Sequence, residues 1–137
     1  MASIEEAIFT ALKDDSTLAT KVADGSKVAI YYDDVPSGKL DIASSMVVIS
    51  KITESEITHI DYQITSMQIT AISDSKSGAI SLKDDIIRVL TRFRGTLGGK
   101  RVINSTRKTN SSSLKADNSK HYMEILEFTF NHFGDNV

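Results

Sequence analysis

The stretch Gly95-Thr96-Leu97-Gly98-Gly99-Lys100-Arg101 comes nearest to a phosphate-binding loop in this chain. Such a loop needs Gly, four residues, then Gly-Lys-Ser/Thr, on a turn that leaves a strand and enters a helix. Arg94 and Arg101 occupy the two fixed ends, and the local order is helix first, strand second. A helix stop followed by a turn is the expected reading. His59 and Asp61, with Glu54 and Glu56 nearby, form only a loose set where a metal site needs three or more converging ligands. A cross-strand polar surface is expected there instead.

Three Asp-Asp pairs, Asp14-Asp15, Asp33-Asp34 and Asp84-Asp85, are poor acid/base dyads, because adjacent side chains diverge on a helix or strand. No Gly-x-Ser-x-Gly elbow occurs, and His59, His121 and His132 lack an evident nucleophile partner. These constellations predict no enzyme, no cofactor and no metal.

The charge pattern is more informative. Residues 1–82 carry 6 basic and 12 acidic side chains, a balance of −6. Residues 83–120 carry 10 basic and 3 acidic ones, a balance of +7, and the last 17 residues return to −3. Opposite poles on one small domain suit a polyanion partner or head-to-tail contact between copies; a merely well-solvated surface is the plainer alternative. Arg101, Arg107, Lys108 and Lys115 could track phosphates without reading bases. No aromatic residue stands between positions 94 and 121 to stack on single strands.

Positioning these residues falls to one domain, since the chain has 137 residues, 40% apolar and 25% charged. It contains no cysteine, which removes disulfides and zinc–thiolate chemistry. The acidic start at Glu5-Glu6 is unlike a signal peptide, and no apolar run nears the roughly 20 residues that span a bilayer. A soluble protein of the cytoplasm, without membrane contact, is expected.

Ser3-x-x-Glu6 reads as a capping box ahead of a helix striped with Ile4, Ala7, Ile8, Ala11 and Leu12. A short second helix carries Leu18, Ala19 and Val22. Strands are predicted at Val28–Tyr32, Met46–Ser55, Ile57–Ile72, Lys100–Arg107 and His121–Phe133. In the third, the apolar phase slips, predicting a bulge near Thr65-Ser66. Between these strands, Asp74 and Ser75 cap a long helix running to about Phe93, with Gly95 as its stop. Residues 109–119, polar but for Leu114, are expected to form a mobile arm. The sum is an α+β domain spanning 1–137, of order α-α-β-β-β-α-β-β. Its mostly antiparallel sheet has about five strands, with one long helix and the N-terminal helices packed on it.

Several of these segments, taken together, resemble the tail-completion (tail terminator, or tail-to-head joining) proteins of long-tailed, siphovirus-type phages. They are the helix Ile4-Glu5-Glu6-Ala7-Ile8-Phe9-Thr10-Ala11-Leu12, the strand Val28-Ala29-Ile30-Tyr31-Tyr32 with Pro36 downstream, and Met46-Val47-Val48-Ile49-Ser50. Met67-Gln68-Ile69-Thr70-Ala71-Ile72 then runs into the long helix, and Arg101-Val102-Ile103 and Leu126-Glu127-Phe128-Thr129-Phe130 follow. The resemblance covers nearly the whole chain. It implies a virion protein, assembled in the host cytoplasm, that forms a hexameric ring on the head-proximal end of the tail tube. Such a ring stops tube polymerisation and joins tail to head, with the tube protein and a head-completion or connector protein as partners. Double-stranded DNA would pass through it without sequence-specific binding.

Under that reading Arg88, Arg92, Arg101 and Arg107 are candidate subunit or tube contacts, and Asn110, Leu114, Lys115 and Asp117 are candidate docking residues of the arm. Another neck component, such as a head-completion or stopper protein, is the nearest alternative. A cytoplasmic module using a basic surface on nucleic acid is the alternative from a different class.

Overall fold

A computed structural model describes residues 4–24, 27–33, 45–57, 62–91, 95–97, 100–107, 112–115 and 122–133. Helix α1 (Ile4–Asp14) forms where the apolar stripe is spaced at three and four residues, and it buries Ile4, Ala7, Ile8 and Leu12. Its expected Ser3 cap lies outside the described residues. Asp15 breaks the helix and starts α2 (Ser16–Lys21): its carboxylate Oδ2 accepts the Leu18 amide at 3.1 Å. A two-strand ribbon, β1 (Ala23–Asp24) with β2 (Lys27–Val28), precedes the main sheet.

The main sheet contains β3 (Ile30–Tyr32), β4 (Ser45–Ile57), β5 (Tyr62–Ser73), β6 (Gly95–Leu97), β7 (Lys100–Arg107), β8 (Ser112–Lys115) and β9 (Tyr122–Phe133). Its order is β3-β4-β5-β9-β7-β6, with β8 also on β9. Every pairing is antiparallel except β3 with β4, which is parallel. The α+β class therefore holds. Of the seven strands, four are long (β4, β5, β7 and β9), where about five strands were expected. The expected five correspond to β3, β4, β5, β7 and β9, and the two further strands among the described residues, β6 and β8, are segments of three and four residues.

Helix α3 (Lys76–Leu90) connects β5 to β6 and lays Ala79, Leu82, Ile86 and Leu90 on the sheet. Ser75 caps it, its hydroxyl accepting the Gly78 amide at 3.0 Å. The helix stops at Leu90, short of the expected Phe93, because Thr91 turns extended at φ −71°, ψ 131°. Gly95 consequently belongs to a strand and is not a helix stop. Leu97 pairs with Lys100 across Gly98-Gly99, so the glycine pair joins two strands, and the strand-to-helix turn of a phosphate loop is missing there.

The helices cover one face of the sheet, where Val47, Ile49, Met67, Ile69, Ala71, Leu126, Phe128 and Phe130 are buried. The alternation of β5 is unbroken: Thr65, Met67, Ile69 and Ala71 share this face while Ile64 faces outward, 37% exposed. The expected bulge at Thr65-Ser66 is thus corrected. The apparent slip arose because a polar residue holds a core position, with Thr65 Oγ1 2.8 Å from His132 Nε2. The irregularity instead sits on the facing strand, between Lys51 and Thr53, opposite Met67 and Ser66.

Part of the expected arm is described. Ser112–Lys115 pair with Ile125–Tyr122 of β9, on the same side of β9 that β7 occupies further along. These four residues continue the β7 line, and the rest of 109–119 lies outside the described residues.

Candidate interaction surface

Two separate arrangements of charged side chains emerge from this fold. The first lies where α2 meets α3. Arg88 Nη1 and Nη2 donate to Asp15 Oδ1 and Oδ2 at 3.1 and 2.7 Å, a bidentate fork. Asp85, largely buried one helical turn before Arg88, takes Lys21 Nζ at 2.7 Å, and the same ammonium donates to Ser81 Oγ at 2.6 Å. The Arg88 hydrogen bond, opposed by burial and assisted by the Leu18 amide, holds the Asp15 carboxyl below its ordinary range. Lys83 likewise approaches Glu124 of β9 at 3.3 Å, and Glu124 is only 4% exposed. These ion pairs fasten helices to each other and to the sheet.

The second arrangement is a cleft of about 320 Å³ beside β3, at the first turns of α1. Glu5, Glu6, Tyr32, Asp33, Ile49 and Lys51 line it. Phe9 positions the aromatic wall: its ring stacks on Tyr32 with centroids 5.6 Å apart, while Tyr32 stays 42% exposed. Asp33 closes β3 with a left-handed φ of 64°, its amide donating to the Ile49 carbonyl at 2.9 Å. Lys51 Nζ stands 3.3 Å from Glu5 Oε1, an oxygen that is buried without a hydrogen bond among the described residues. Burial and then the Glu6 and Glu5 carboxylates raise the Tyr32 hydroxyl above its ordinary range, which marks a negative local field.

Of the expected contact residues, Arg88 is engaged with the α2 cap, with its side chain 53% exposed. Arg101 and Arg107 lie on β7, in register with Thr96 and Phe128. Leu114 and Lys115 lie on β8, opposite Met123 and Tyr122. Arg92, Asn110 and Asp117 lie outside the described residues, as do His59 and Asp61. No group of three acidic or histidine side chains fit to hold a metal occurs among the described residues, and no helix among them is long and apolar enough to cross a membrane.

The cleft at β3 was not foreseen. Tyr32 followed by Asp33 carried a faint signal, since Asp tolerates left-handed backbone, but the approach of Phe9 to Tyr32 depends on α1 folding back over β3.

The fold has a solved likeness. A chain of the structure described as "Virion of native gene transfer agent (GTA) particle" matches this one with a TM-score of 0.72, over 96% of each chain, at 19% identity. That likeness defines the fold. No family model matches the sequence, and no curated protein matches it.

Proposed function

We propose that this chain is a structural protein of a phage-like virion, and specifically a tail terminator. The observation that carries the reading is the fold, shared over nearly its full length with a component of a virion particle. Three further points support it. The run of elements resembles the tail-completion family, the constellations of the sequence favour no catalytic chemistry, and the opposed charge poles suit a ring. A ring joins two different faces of one subunit, a heterologous contact that closes if the rotation allows. In this role the chain works without catalysis. Six copies sit on the head-proximal end of the tail tube, block further addition of tube protein and offer a surface to a head-completion protein, with DNA passing through.

The test is a particle assembly lacking this chain. Terminator function predicts tubes of uncontrolled length and unattached heads, with normal length and joining restored when the purified protein is added back. Tubes of normal length with heads that fail to join would instead assign the chain to another neck position. The net +7 of residues 83–120 favours one alternative, sequence-independent nucleic-acid contact. That reading requires affinity for duplex DNA to fall steeply as salt rises.

A further inference from the structure

We draw no further inference here: the strongest candidate, the cleft lined by Glu5, Glu6, Tyr32 and Asp33 where α1 meets β3 and β4, is an acidic cluster whose Glu5 is already paired with Lys51, and nothing in the structure shows what fills it.

Discussion

Arg88 grips Asp15 through two parallel bonds, 3.1 and 2.7 Å long, and the oxygen that takes the shorter one also accepts the Leu18 amide. One carboxylate thus caps α2 and ties it to α3, elements separated by more than 50 residues of sheet and loop. The sign of its pH response follows. A carboxyl whose folded pKa is lowered contributes stability that is fully present above its unfolded value of 3.8 and is lost as pH falls below it.

Asp15→Ala should cost about 1–2 kcal/mol at neutral pH, mostly through the lost cap. Against wild type, that difference should shrink as pH falls through 3.8 towards the lower folded value. Thermal melts between pH 7 and pH 3 check it. A deficit that grows on acidification would show that the carboxylate is not stabilising.

Gly78→Ala should destabilise, although alanine is the better helix former by about 1 kcal/mol. A Cβ at this position would meet the hydroxyls of Ser73 and Ser75, the latter at 2.8 Å. Ser75 is the cap itself, so relief of the clash spends the first turn of α3. Urea midpoints for Gly78→Ala and for Gly78→Ala with Ser73→Ala separate the causes: removing the Ser73 hydroxyl should restore part of the loss.

Thr65→Val should cost about 1–3 kcal/mol despite its matched shape, because His132 Nε2 loses a partner 2.8 Å away at a site only 1% exposed. Chemical denaturation measures it. A neutral outcome would mean that the histidine's other contacts suffice.

Phe128→Ala removes a fully buried ring at the contact of β9 with β5 and should cost about 3–5 kcal/mol. Calorimetry of the variant is the check.

Amide exchange should protect those of Ser112–Lys115 that donate to β9, consistent with the pairing of these residues to Tyr122–Ile125. Exchange as fast as in an unstructured peptide would overturn this pairing.

The elements with strong periodicity were legible in advance. The stripe of α1, the Ser75 cap and the face of β9 carrying Leu126, Phe128 and Phe130 all followed from spacing and capping chemistry alone. The failures share a cause. Thr65 and His132 hold core positions by satisfying each other across 67 residues, so a reading of apolar phase saw a break where none exists. Ser112–Lys115, polar but for Leu114, still forms a ladder, because backbone groups make the bonds and β9 supplies the template. The cleft was illegible for a similar reason: its walls come from α1, β3 and β4, and their proximity is a tertiary fact.

The place of β9 has a consequence in time. It is the last described strand in chain order, yet it lies between β5 and β7 and also holds β8. During synthesis, β5 waits with one ladder open until residues 122–133 have left the ribosome, and β7 and β8 wait for the same twelve residues. Folding is then late and non-local, which slows it. Until that strand arrives, the nascent chain exposes the apolar face of its hairpin to the crowded cell, and prompt completion of translation becomes a condition of reaching the native state.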